Sequence, residues 1–381
     1  MNNVCLITTV HAALDTRIFF REAKSLQEAG YRVTLIVQYP EKSDIVDGIV
    51  INGLPEIKNR FQRFFLGWLA YWKAVDLGSD IYHIHDPELI PVGVFLRLLT
   101  RKPVIYDVHE HYPDAIQDRT WIPSWLRNTL STIFDFLEKY FAGFFSAIIS
   151  ADEVISERFI GRGILVETIY NFPERKYFAN PNDQLSLPEK HPIQLIYVGA
   201  ITPQRGLWVM LDMMEIILDD FQIDVGLWLV GKIGTELEMR DIEDRLSDHL
   251  KLKSRVDFVG WIPFGNVPTF LRKADIGLVP LQPISKFYKN IPTKQFEYMA
   301  AGLPIIGSDL PPIRKFLEAS QAGIVATPSN PRSFADKVKC LSENPDYATS
   351  LGRRGIQAFR EIYNWETEET KLLSLYQELL N

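Results

Sequence analysis

Short β-branched runs alternate with helix-length amphipathic stretches along this 381-residue chain, and the alternation breaks once and then restarts. That pattern constrains the fold more than any single motif. Val4–Thr8, Val33–Val37, Ile81–His85 and Val104–Val108 read as strands, and Thr16–Ala29, Phe64–Val75 and Val92–Leu99 have helical spacing. Buried strands separated by helices argue for parallel sheets covered on both faces. Around Asn180–Pro192 the pattern collapses into Pro, Asn and charge, which marks a linker. It resumes with strands at Leu195–Val198, Gly226–Val230, Val256–Val259, Ile276–Pro280 and Pro304–Gly307, and helices at Leu207–Leu218 and Lys294–Ala301. The expected class is therefore α/β: two doubly wound, Rossmann-like domains facing across a cleft, the first over 1–180 and the second over 193–364. Ligands in such sheets sit beyond the carboxyl ends of the strands.

Composition narrows the function. The net charge is −7, with 19 basic against 22 acidic residues in 1–180 and 22 against 26 beyond, so neither half is a nucleic-acid-binding half. Two cysteines, Cys5 and Cys340, exclude a disulfide scaffold, argue against a thiolate metal site and fit a reducing compartment. The start reads as a first strand rather than a secretory leader. No window is apolar for the roughly 18 residues that a membrane span needs. The expected protein is soluble, or touches a membrane only at its surface.

Five stretches carry polar groups where ligands are expected. In Ile81–Glu88, His83 and His85 share one strand face. They read as ligand groups, as a capped strand end with one histidine satisfied by Asp86, or as a His-x-His metal pair. In Pro103–Pro113, Asp107, His109 and His111 alternate along a strand end, and such a polar cluster needs partners or a ligand. A neutral histidine can hydrogen-bond or polarise a sugar hydroxyl, and His109 is the candidate. In Thr9–Phe19, Asp15 or Thr16 can cap a helix, and Arg17 then lies in a first turn where the macrodipole disfavours a cation. That conflict points to an anionic partner. In Tyr197–Leu207, a strand ends at Gly199 and a helix starts near Gly206, with Arg205 between them, which suits a diphosphate. In Lys286–Ile306, Thr293 can cap a helix whose Lys294 and Glu297 form either a surface ion pair or a site for phosphates and a ribose diol.

The ordered set Gly199…Arg205-Gly206, Leu229-Val230-Gly231-Lys232, Val259-Gly260 and Phe296-Glu297-Tyr298-Met299-Ala300-Ala301-Gly302-Leu303-Pro304 resembles family 4 (group 1) retaining glycosyltransferases of the GT-B fold. His11…Asp15-Thr16-Arg17-Ile18-Phe19, His85-Asp86-Pro87-Glu88 and Asp107-Val108-His109-Glu110 resemble a bacterial subgroup that builds capsule or O-antigen. The resemblance spans nearly the whole chain. It implies that Arg205 binds the donor diphosphate, that Glu297 holds the donor ribose as the second glutamate of E-x7-E, and that His109 lies near the donor sugar. Gly199, Gly206, Gly231, Lys289 and Lys294 would join the donor site, and Trp261 and Ile262 would line the nucleobase pocket. His11, Asp15, Arg17, His85, Asp86 and Glu110 would face the acceptor. Two positions depart from the family pattern. Ala200 stands where an arginine is usual, and Lys289 stands where the first glutamate of E-x7-E belongs.

The implied chemistry is transfer of a hexose or amino-hexose from a UDP- or GDP-sugar to a glycan or polyprenyl-diphosphate-linked acceptor. No Asp-x-Asp tripeptide is present, so no metal and no other cofactor is expected, and cations would stabilise the leaving diphosphate. Residues 365–381 would form a helix returning to the first domain. Arg60–Lys73 and Trp121–Arg127 are aromatic and basic, which suits either core packing or an anionic bilayer. The expected location is cytoplasmic, peripheral on the inner membrane's cytoplasmic face. Two rivals remain at this point: a sugar-nucleotide epimerase of the same architecture, and a non-catalytic sugar-nucleotide or glycan-binding protein.

Overall fold

The protein's structure is a computed structural model that describes residues 1–57, 59, 62–117, 119, 121–179, 185 and 187–381, with Phe64 described by its backbone only. Linker residues 180–184 and 186, and Arg60 and Phe61 of the first aromatic-basic stretch, lie outside the described residues. The chain divides into two units, Met1–Asn171 with Trp365–Asn381, and Phe172–Asn364. The division falls ahead of the proline-rich stretch because Phe172 packs on Phe296, Phe316 and Tyr363, and Phe178 packs on Phe359.

In the first unit, β1 (Asn3–Ile7), β2 (Arg32–Gln38), β3 (Ser43–Val46), β4 (Ile49–Leu54), β5 (Ile81–Ile84), β6 (Val104–Val108), β7 (Ala147–Ser150) and β8 (Leu165–Thr168) form one sheet. Its order is β3-β4-β2-β1-β5-β6-β7-β8. The pairs are parallel except β3–β4, a hairpin turned at Asp47-Gly48, where φ is 50° and 81°. Asp-Gly suits a turn that needs positive φ at both central residues.

Side-chain alternation sends Cys5, Ile7, Tyr82, Ile84 and Tyr106 to one face and Val4, Leu6, Ile81 and Ile105 to the other. Helices α2 (Gln62–Leu77), α3 (Ile90–Thr100) and α5 (Ser124–Ala142) cover the first face, and α4 (Tyr112–Gln117) packs on α5. The second face is covered by α1, which runs through Ile18–Ala23 and Lys24–Glu28, and by the C-terminal helix Trp365–Leu380. That last helix is fixed by Trp365 Nε1 donating to Ser25 Oγ at 2.9 Å and by fully buried Tyr376. Each such buried large side chain contributes about 1.5–3 kcal/mol.

In the second unit, β9 (Ile193–Val198), β10 (Val225–Val230), β11 (Val256–Gly260), β12 (Ile276–Val279), β13 (Ile305–Ser308) and β14 (Gly323–Ala326) form a parallel sheet. Its order is β11-β10-β9-β12-β13-β14. Both sheets reverse direction beside their first strand, at β1/β5 and at β9/β12. The loops diverge there, and a doubly wound sheet binds its ligand at such a point. Among the described residues, no helix is long and apolar enough to cross a membrane.

Candidate functional site

In the first unit the site grows from the β1/β5 switch point. Asp86 precedes Pro87 and is therefore held extended, with φ −113° and ψ 145°. This turns its carboxylate back to the end of β1. There Oδ2 accepts from Thr8 Oγ1 at 2.8 Å, Thr9 N at 2.5 Å and Val10 N at 3.2 Å. His11 bridges Asp86 and Asp15, each at 3.5 Å, and its ring lies 4.7 Å from that of His109. Burial pushes the Asp15 carboxyl up, but bonds from His11 and from the Ile18 and Arg17 amides outweigh it and hold the group low. His11, Asp86, His109 and Glu110 thus line one cleft of about 490 Å³, together with Arg63, Arg119 and Phe134.

Behind the cleft lies a fully buried ionic cluster. The wide first turn of α1 is bonded from Glu22 N to Arg17 O at 2.9 Å, five residues apart. It stacks Glu22 over Arg17, and such turns often mark functional sites. Arg17 grips Asp107 through Nε (3.1 Å) and Nη2 (3.3 Å) and donates through Nη1 to Ile169 O at 2.9 Å. Its Nε also approaches Glu22 Oε1 at 2.8 Å, a charge contact without hydrogen-bond direction. The anion that Arg17 called for is therefore internal. Asp107 also lies 3.4 Å from His109 Nε2, which in turn meets His85 Nδ1 at 3.2 Å. His83 Nδ1 pairs with Tyr376 Oη at 2.8 Å. Arg17 and His85 are buried behind the cleft and do not line it, unlike His11, Asp86 and Glu110.

The charges in this cluster divide unevenly. Burial pushes Asp107 up, but Arg17 and His109 outweigh it and hold the carboxylate well below its ordinary range. Burial, and then Asp107, push Glu22 well above its range. Burial lowers His83 and brings His85 to about 4. Glu22, His83, His85 and Asp107 are the described residues that could hold a metal ion, their ligand atoms lying within 4.8 Å of one another. Arg17 already sits between the two carboxylates and offsets part of their charge.

In the second unit the site grows from the ends of β9 and β10. Gly199 (φ 129°) and Gly231 (φ 150°) cross so closely that a Cβ on Gly231 would lie 2.0 Å from the Gly199 carbonyl oxygen. Arg205 ends a single turn over Pro203–Arg205, and Gly206 (φ 91°) opens α6 (Leu207–Ile216). Next, α7 (Glu236–Asp248) begins with a reciprocal cap between Thr235 and Glu238. α8 (Lys294–Ala301) begins with Lys294, and the Thr293 side chain does not cap it. Lys294 is not a surface ion pair. It is buried, its Nζ lies 3.5 Å from the centre of the Tyr197 ring and has no hydrogen-bond partner. A Cβ on Gly199 would approach that Nζ to 3.2 Å. Burial, and then Arg205, hold the amine well below its usual range, while Glu297 raises it. Gly231 and Trp261 line a neighbouring cavity of about 790 Å³ with Thr235, Arg240, Glu243 and Phe258, and Ile262 is half-buried next in sequence. Half-buried Lys289 follows the turn Ser285–Tyr288, and Ala200 is exposed.

The family described as Glycosyltransferase Family 4 matches residues 16–173, and that described as Glycosyl transferases group 1 matches residues 192–344. The chain is a glycosyltransferase of this family 4, group 1 type. A phosphatidyl-myo-inositol mannosyltransferase of Mycobacterium leprae is 22% identical to this glycosyltransferase over 340 residues, 85% of this chain and 77% of the relative. Sucrose-phosphate synthase from Thermosynechococcus elongatus superposes with a TM-score of 0.77 at 20% identity, covering 100% of this chain and 99% of that one. HepE from Anabaena, in complex with UDP, gives 0.73 at 13% identity, covering 99% and 100%. These likenesses establish the GT-B architecture.

Sequence reasoning missed Glu22, Arg240 and the burial of Lys294. Glu22 carried a signal: it lies four residues after Ile18 and four before Leu26, inside the apolar stripe of α1, where a charge demands a partner. The Thr235-x-x-Glu238 cap that places Arg240 was equally readable. The burial of Lys294 against Tyr197 joins positions almost a hundred residues apart and left no local mark.

Proposed function

We propose that this glycosyltransferase moves a hexose or amino-hexose from a UDP- or GDP-sugar to a glycan or lipid-linked acceptor with retention at the anomeric carbon, in cell-surface polysaccharide synthesis in the cytoplasm. In this reading the second unit takes the donor and the first takes the acceptor. The observation that carries it is Lys294, a buried amine at a helix start with no hydrogen-bond partner among the described residues and Arg205 nearby. Burial, repulsion and the helix dipole all disfavour that cation, and an anion relieves all three. A nucleoside diphosphate is such an anion, and the neighbouring 790 Å³ cavity with Trp261 has room for its base. The UDP complex of HepE supports the same ligand class.

Negative charge grows on the β-phosphate as the sugar leaves. In this reading Arg205, Lys294 and the amides opening α8 stabilise it in place of a metal. Glu297 accepts from the ribose diol. His109 offers a ring nitrogen to sugar hydroxyls in the first unit's cleft, with His11 beside it, and Asp107 fixes the His109 ring. The departing phosphate helps deprotonate the acceptor hydroxyl. The test is Arg205→Ala and Glu297→Ala, assayed with a panel of UDP-, GDP-, ADP- and TDP-sugars for binding and transfer. Losses of about 100-fold in turnover are expected for Arg205→Ala. Unchanged donor binding and transfer in both variants would overturn the site.

A further inference from the structure

The apolar surface of the first unit is concentrated on one face. α2 buries Leu66, Ala70 and Ala74 in the core and turns Phe65 and Trp72 outward, 74% and 66% exposed. α3 does the same with Leu98 and Leu99, and α5 with Trp125 and Phe136, 76% and 67% exposed. These helices are neighbours on the same side of the sheet, and Trp68 of α2 rests on Phe95 of α3 with centroids 5.3 Å apart. Large exposed apolar side chains thus stand on three adjacent helices, and such a concentration marks an interaction surface.

Charge selects what covers it. Arg63, Lys73, Arg97, Arg127 and Lys139 lie on these helices, and Arg101 and Lys102 follow α3 directly. The acidic residues on the helices are Asp76, Asp135 and Glu138, so these helices carry five basic against three acidic residues in a chain whose net charge is −7, with Lys73 bonded to Asn52 and Lys102 paired with Asp80. Of the three, Asp135 bonds Lys139 and Arg158, and Glu138 is buried against Tyr106 and Arg158. A second copy would bring like charge against like. A bilayer with anionic headgroups satisfies both features, with rings in the interface and Lys and Arg at the phosphates. Two of the helices also reach the cleft, which Arg63 of α2 and Phe134 of α5 line.

We propose that the α2–α3–α5 face docks on an anionic lipid bilayer and brings the His11/His109 cleft to the membrane surface. The proposal deepens the lipid-linked acceptor reading, but vesicle binding is measured without donor or acceptor, so either can fail alone. The experiment is flotation of the full chain with phosphatidylcholine vesicles, with and without about 30% phosphatidylglycerol. Wild type is expected to float at least about tenfold better with phosphatidylglycerol. Trp72→Asp/Phe136→Asp should lose about tenfold, and Leu250→Asp, an equally exposed site in the second unit, should not change. Lys73→Gln/Arg97→Gln keeps every ring in place. It should weaken flotation several-fold, which decides the matter even if the aspartate variant misfolds. Equal flotation of wild type and both variants, or no flotation at all, overturns the proposal. So does a wild-type dimer that Trp72→Asp/Phe136→Asp makes monomeric, which would assign the face to a second copy.

Discussion

Replacing Lys294 with methionine separates stability from donor binding. In the folded protein the Lys294 amine lies 3.5 Å from the Tyr197 ring centre and has no hydrogen-bond partner among the described residues. Its cation–π contact is worth about 0.5–2 kcal/mol. Methionine keeps the volume and regains about 0.3–1.5 kcal/mol through sulfur–ring contact, while the cost of burying an uncompensated charge disappears. The melting temperature should therefore hold or rise. The pH dependence follows from the direction of the shift. Burial lowers the folded pKa of Lys294 below its ordinary 10.5. The unfolded chain then binds the proton more tightly, and wild-type stability rises with pH between the two values. The advantage of Lys294→Met should thus be greatest on the low-pH side of that window and vanish near 10.5.

Donor affinity should move the other way. A unit charge pair at about 4 Å in an effective dielectric of about 20 is worth about 4 kcal/mol. Allowing for solvent replacement at the site, a loss of about 2–4 kcal/mol, or about 30- to 700-fold in nucleoside diphosphate affinity, is expected. Thermal melts across pH and UDP and GDP titrations of both proteins measure these quantities. A variant that melts several degrees lower yet binds nucleotide as wild type does would refute the reasoning.

Two further substitutions test the supporting geometry. Glu22→Gln removes the buried carboxyl whose pKa burial and Asp107 raise above the ordinary 4.5; wild-type stability falls as pH climbs from there through the raised value, so the variant should gain on wild type over that range in urea melts. A wild-type advantage that widens with rising pH would contradict the charge assignment. Gly231→Ala places a methyl 2.0 Å from the Gly199 carbonyl at a φ of 150°, and should cost about 2–4 kcal/mol and weaken nucleotide binding, whereas a stable, fully binding variant would show that the two loops are not locked.

The α/β alternation was legible because buried parallel strands are short, apolar and separated by helices. β6 and α8 lie where the pattern placed them, over Val104–Val108 and Lys294–Ala301. The edges were not legible in the same way. β3 is half-exposed and mixed in sequence, and β4, though mostly buried, is interrupted by Asn52-Gly53. β8 and β14 are partly solvated four-residue strands, too short to stand out from the sequence around them. At the site, His85, Asp86, Asp107 and His109 drew attention because polar residues at buried strand ends need partners. Which of them face the cleft depends on α1 and on the C-terminal helix, whose Tyr376 reaches His83 across almost three hundred residues. Arg17 looked like a ligand group because a cation in a helix's first turn calls for an anion. Its counter-ion, Asp107, is 90 residues away, and only the fold brings them together.

The central claim is that the second unit binds a nucleoside diphosphate through Arg205, Lys294 and Glu297 without a metal. Calorimetric titration of the wild-type protein with UDP and GDP in the presence of EDTA tests it most directly. Saturable one-to-one binding of at least one of them, unchanged by the chelator and weakened in Arg205→Ala, is the expected result. No binding of either nucleotide, or binding that appears only when a divalent cation is restored, would contradict the claim.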